Sequence, residues 1–144
     1  MKGKSHIESL VSMHDAANIN KFYNPKLRLS EGTAEIEVDV VEKFFHAGGA
    51  VHGSVYFKML DDAAWYAANS LEHEFFLVTT SFTTYITRPV SSGVVRAVGR
   101  VLNRNKSQFI SEAVIYDDKG SELGRGNGIF VKSKIPLVNA DGYQ

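Results

Sequence analysis

The chain has no cysteine, only 3 prolines in 144 residues, no formal net charge at pH 7 and no long apolar run. Without cysteine there is no thiolate nucleophile, no thiolate zinc or iron–sulfur site and no disulfide framework, which leaves a carboxylate as the leading candidate for a catalytic group. The balance of 16 Lys+Arg against 16 Asp+Glu lacks the basic excess of a duplex nucleic-acid binder, so no nucleic-acid partner is expected. No segment approaches the roughly 20 apolar residues of a spanning helix. The basic start, Met1-Lys2-Gly3-Lys4, runs into Glu8, His14 and Asp15 rather than an apolar core, which does not read as a signal peptide. A cytoplasmic protein without a membrane partner is expected.

What is present suits one domain spanning residues 1–144. A chain of this size buries roughly two-thirds of its unfolded surface and needs no metal or disulfide to complete a core. The neutral total is uneven along the chain. Residues 1–90 hold 8 basic and 11 acidic side chains, and residues 91–144 hold 8 basic and 5 acidic. The second part therefore offers cations to a small polyanionic ligand.

Ser5-His6-Ile7-Glu8 has the S-x-x-E form of a capping box, followed by Leu10, Val11 and His14 at helical spacing, which predicts a short helix over about 5–17. From Leu27 to Val41 the period changes to two, predicting one strand with a wet face. After Gly48-Gly49, residues 51–70 read as a long central helix whose apolar stripe runs through Tyr56, Phe57, Leu60, Ala63, Ala64 and Ala67. Four β-rich segments follow, Phe75–Val90, Val94–Asn103, Gln108–Tyr116 and Leu123–Ser133, joined by hairpin-like turns. The tail after Pro136 has little pattern and is expected to be disordered. The expectation is an α+β fold with a five-stranded antiparallel sheet around one long helix.

Polar and unusual residues are densest at His46-Ala47-Gly48-Gly49-Ala50-Val51-His52-Gly53-Ser54, where the long helix begins. Free N–H groups at a helix start suit an anion or oxyanion, and Gly53 leaves room for a carbonyl to approach them; the same glycines also serve a plain turn. Two adjacent aspartates lie further along the helix. With Leu60 at the centre of the apolar stripe, Asp61 lies about 100° away at its margin and Asp62 about 200° away. Asp62 also follows Lys58 by four residues, the spacing of a solvated ion pair. Asp61 is thus either an exposed aspartate or a partly buried carboxylate of raised pKa, able to act as base or nucleophile. His52 reads as an N-cap or core histidine and His46 as a surface loop residue. No H-x-x-x-H or H-E-x-x-H spacing occurs, so no metal site is expected. G-x-S-x-G is also missing, which removes the elbow serine of a Ser–His–Asp triad. Trp65, Tyr66, Phe57 and Phe82 either line a pocket or fill the core.

These residues resemble the hotdog-fold acyl-CoA thioesterases of the phenylacetyl-CoA and 4-hydroxybenzoyl-CoA type. That family's signature is an Asn, five residues, then His-Gly-Gly opening the central helix, with an acidic residue nine positions after the His. His52-Gly53-Ser54 and Asp61 stand at those positions, with His46 in place of the Asn and Ser54 in place of the second glycine. The segment 78–89, VTTSFTTYITRP, is similar to the family's second strand. The resemblance implies a hotdog fold and hydrolysis of an acyl-CoA to a free acid and CoA. It implies the Gly53 N–H as oxyanion donor, Asp61 as base or nucleophile supplied from a partner subunit, and a homodimer or homotetramer. It further implies that His46, in the Asn position, donates a hydrogen bond that orients the thioester carbonyl or the attacking water, that His52 belongs to the same motif, and that Thr79 helps hold that water. No separate cofactor is implied, coenzyme A being part of the substrate; Arg104, Lys106 and Arg125 are the candidates for its phosphates. A non-catalytic acyl-CoA or lipid-binding module and, less favoured by the spacing, an enoyl-CoA hydratase remain as alternatives.

Overall fold

A computed structural model of the chain describes residues 3–144. Met1 and Lys2, part of the basic start, lie outside the described residues. The capping box forms as expected: Ser5 Oγ accepts from the Glu8 N–H, Glu8 reaches back to the Ser5 N–H, and helix α1 runs His6–Ala16. A short helix α2, Asn20–Tyr23, follows and ends at Asn24 in the left-handed conformation.

The expected strand over 27–41 is instead two strands, β1 Lys26–Ser30 and β2 Thr33–Asp39, paired in a tight hairpin. The turn is Glu31-Gly32, and Gly32 adopts φ 80°, a conformation that favours glycine. The remaining strands are β3 Phe75–Ile86, β4 Val94–Arg104, β5 Phe109–Tyr116 and β6 Glu122–Pro136. They form one antiparallel sheet of six strands, not five, in the order β1-β2-β4-β5-β6-β3.

The long helix α3, Gly53–Asn69, lies in the concave face of this sheet. Close approach depends on small residues: Ala63 and Ala64 of α3 sit against Gly99 of β4, where a Cβ would run into the Ala63 carbonyl. Ala34, Ile36, Val38, Ala97, Ala113, Ile115, Leu123 and Phe130 close over the helix from the sheet. Most of the expected stripe is buried, but Phe57 is 43% exposed. It packs edge-on against Phe82 of β3 at the open side of the fold.

The end of the chain is packed rather than loose. Leu137 is fully buried, a 3-10 turn spans Leu137–Asn139, and the Tyr143 hydroxyl lies 2.7 Å from His6 Nδ1. Here individual contacts supply the order that sequence periodicity does not reveal.

Candidate active site

Helix α3 carries the site residues at two levels. At its start, His52 is the N-cap, and its Nδ1 accepts from the Ser54 N–H at 3.0 Å. This accounts for one free donor of the first turn and leaves the Gly53 N–H without a partner among the described residues. His52 is therefore an exposed cap, not a core residue. His46 is exposed too; its Nδ1 accepts from the Gly48 N–H at 2.9 Å, and its ring centre lies 6.5 Å from that of His52. In the neutral ring that bond puts the proton on Nε2, free to donate to a ligand. Gly53 faces Ile86, whose Cδ1 is 2.9 Å from where a Cβ would stand.

Two turns later, Asp61 Oδ1 accepts a hydrogen bond from Thr79 Oγ1 at 2.9 Å. Burial is the main cause that pushes the Asp61 carboxyl up to about 6; the Thr79 bond and the Lys58 charge work against it, and the neighbouring Asp62 charge adds to it. Thr79 points at Asp61 from a register shift between Thr79 and Ser81 in the β3–β6 pairing, a bulge that re-aims the strand locally.

Asp62 is not a freely solvated residue. It pairs with Lys58, both side chains are mostly buried, and the Lys58 ammonium also donates to Asn20 Oδ1 at 2.8 Å. Sequence reasoning missed Asn20, because nothing in the pattern joins α2 to the middle of α3.

Asp61 opens onto a cleft of about 770 Å³. Lys58, Asp61, Asp62, Trp65 and Tyr66 form its floor, spaced as one face of α3. Residues 76–79 of β3 form one side and Met13 with residues 16–20 the other. Trp65 and Tyr66 are thus both pocket and core, and the Trp65 indole N–H donates to the Leu77 carbonyl at 2.8 Å.

The three cations proposed for coenzyme A do not meet within one chain. Arg104 and Lys106 lie beside Leu71 and Glu72, past the end of α3. Arg125 pairs across to Val114, five positions further along β5 than the Phe109 partner of Arg104, which is about 17 Å of strand. Glu122 also occupies Arg125 with two hydrogen bonds. Among the described residues no three His, Asp or Glu side chains converge to hold a metal ion, and no helix is long and apolar enough to cross a membrane.

Comparison with known proteins agrees with this architecture. A profile described as the Thioesterase superfamily matches residues 48–123, which include Gly53, Asp61 and Thr79. A Mycobacterium tuberculosis protein named "Putative esterase Rv1847" is 32% identical over 97 residues, covering 65% of this chain and 69% of that protein. Among solved structures, the E. coli PaaI protein from the phenylacetic acid degradation operon superposes with a TM-score of 0.82 at 18% identity, over 89% of this chain and 93% of its own. Thioesterase HI1161 from Haemophilus influenzae does so with a TM-score of 0.77 at 15% identity, over 90% of this chain and 91% of its own. At such identities these two structures speak to the fold alone. The six-stranded sheet around one helix, with Asp61 and the Gly53 turn both inside the matched region, makes this chain a hotdog-fold member of the thioesterase superfamily.

Proposed function

We propose that the protein hydrolyses an acyl-CoA thioester to a free acid and CoA, with Asp61 as general base or nucleophile and the Gly53 N–H as oxyanion donor. The observation that carries this is the Asp61 carboxylate, half-buried, of raised pKa and held by Thr79 on the floor of a cleft. In the base route Asp61 takes a proton from a water oriented by Thr79. The water oxygen bonds to the carbonyl carbon, charge develops on the carbonyl oxygen beside Gly53, and the C–S bond breaks as the thiol leaves with a proton. His46 Nε2–H, on the same turn, is a further donor to that oxygen, and His52 holds the turn by capping the helix. Coenzyme A enters as part of the substrate. Its phosphates suit Arg104 and Lys106, which have no carboxylate partner among the described residues, better than the occupied Arg125.

The site needs two copies of the chain. Asp61 lies eight residues beyond Gly53, about 12 Å along the helix, too far for both to act on one carbonyl. β3 is a sheet edge of 12 residues, and long open edges invite pairing. Antiparallel pairing of two β3 strands centred at Phe82 and Thr83 sets Thr79 and its Asp61 opposite the partner copy's Ile86 and Gly53. Phe57, Val78, Tyr85 and Ile86, all exposed in the single chain, lie on α3 and β3 on this side. Sedimentation at micromolar concentration is expected to return at least twice the 15.9 kDa chain mass. An active 15.9 kDa species would remove the two-copy site.

The first test is purified protein against a panel of acyl-CoAs with detection of released thiol. Acyl-CoA that stabilises the fold without thiol release would favour the non-catalytic module instead. The pH dependence is a second test. Asp61 must be ionised to act, so kcat/KM is expected to rise through about pH 6 and level off above it. A flat profile from pH 5 to 8 would argue against Asp61 as the working group.

A further inference from the structure

Both ends of the chain lie outside the matched residues 48–123, yet both reach the cleft. From the first helix and the link after it come Met13, Ala16, Ala17 and Ile19; from the tail come Ala140 and Asp141. The tail is fastened at several points. Its Leu137 N–H donates to the Glu74 carbonyl at 2.8 Å, and Ser9 Oγ donates to the Gln144 carbonyl. His6 Nε2 lies 2.8 Å from the Asn69 carbonyl, which can only accept, so that nitrogen carries the proton and Nδ1 accepts from the Tyr143 hydroxyl. Gly142, at φ 85°, sits so close to α1 that a Cβ there would stand 2.7 Å from the Ala16 Cβ. Asn69 is the last residue of α3, so this fastening lies at the end of the helix remote from Gly53.

We infer that the C-terminal tail, pinned to α1 by the His6–Tyr143 hydrogen bond, is the end wall of the acyl cleft and sets how far an acyl group extends from Asp61. The inference rests on the thioesterase reading. The floor runs along α3 from Lys58 through Asp61 to Tyr66, and Ala140 with Asp141 closes it. The wall also names a substrate class. Met13, Ala16, Ala17, Ile19 and Ala140 offer hydrocarbon contact; Lys58 is taken up by Asp62, which leaves the Asp61 and Asp141 carboxylates as the charges of the lining without an ion-pair partner among the described residues. A neutral, apolar acyl group of limited length fits. A second carboxylate at its far end does not, because it would meet like charge.

The test compares three variants by the ratio of kcat/KM for dodecanoyl-CoA to that for butanoyl-CoA. Removal of residues 140–144 opens the wall and is expected to raise the ratio roughly tenfold or more, whereas Ala140→Phe thickens it and is expected to lower the ratio by a similar factor. Tyr143→Phe removes one of the fastenings, the hydroxyl bond to His6, and should move the ratio in the same direction as the truncation, by less. Circular dichroism checks that each variant is folded, and if the truncation unfolds, Ala140→Phe and Tyr143→Phe decide between them. A merely structural tail would lower both rates together. Ratios within twofold of the parent in the folded variants would overturn the wall. If the parent hydrolyses no thioester, the thioesterase reading fails instead. Calorimetric binding of free butanoic and dodecanoic acids then reads the wall separately, with the same opposite shifts expected and unchanged relative affinities counting against it.

Discussion

Asp61→Asn is expected to lower kcat for thioester hydrolysis by about 10³-fold and at the same time to raise the melting temperature at neutral pH. The loss follows because an amide neither takes a proton from water nor attacks a carbonyl, while it can still accept the Thr79 hydrogen bond. The gain follows from linkage. Burial raises the folded-state pKa of Asp61 to about 6, above its unfolded value, so the folded state binds more protons between about pH 4 and 6. Stability contributed by the protonated form is present at low pH and lost as pH rises through about 6. Above that pH the ionised, poorly solvated carboxylate costs stability. An amide removes that cost, about 1 kcal/mol after discounting for residual solvent, or about 3 °C in a chain of this size. The stabilisation should be present in full at pH 8, shrink as the pH falls through about 6, and disappear only below about pH 4. Asp62→Asn is the control: its partner is Lys58, and a loss in kcat below about tenfold is expected. Equal losses in the two variants would remove Asp61 from its role.

Gly53→Pro carries the second large effect. Gly53 is the first helical residue, where proline's fixed φ is tolerated, and His52 at φ −63°, ψ 143° already has the extended backbone that a residue before proline prefers. The substitution therefore deletes the N–H and leaves the helix in place. Loss of an oxyanion donor of this kind costs about 10²–10³-fold in kcat. Gly53→Ala adds a carbon against the Ile86 side chain but keeps the N–H, so it separates crowding from the lost donor. If both variants fall equally, the N–H is not the oxyanion donor. In the proposed two-copy site the two groups come from different copies, so mixing Asp61→Asn with Gly53→Pro subunits by unfolding and refolding should restore about a quarter of full activity. Half of randomly formed dimers are mixed, and each mixed dimer holds one intact site. No recovery would mean that both groups act from the same chain or that no such dimer forms.

Much of this was legible in the residues. Capping-box spacing locates α1 and the apolar stripe locates α3; a helical wheel puts Asp61 at the stripe margin, where it is half-buried, but reads Asp62 as a solvated residue, whereas Lys58 and the α2 residue Asn20 keep it partly buried. The β1–β2 hairpin was missed although a signal existed: the inward residues change phase, from Leu27 and Leu29 to Ala34 and Ile36, across Glu31-Gly32. The Phe57 exposure was not legible, since a wheel gives the apolar side of a helix but not where the sheet stops covering it. The Thr79 bulge depends on pairing with β6, and the end wall depends on contacts between residues more than a hundred positions apart, such as His6 with Tyr143. Neither leaves a periodic trace.

The contact of Gly99 with Ala63 and Ala64 has a mechanical consequence. With the sheet backbone seated directly on that of α3, there is no side-chain cushion to absorb sliding or rotation, so the carboxylate keeps its height and bearing when the chain ends are altered. A scaffold built this way can be retuned by exchanging its termini, in the manner of interchangeable jaws on a fixed vise.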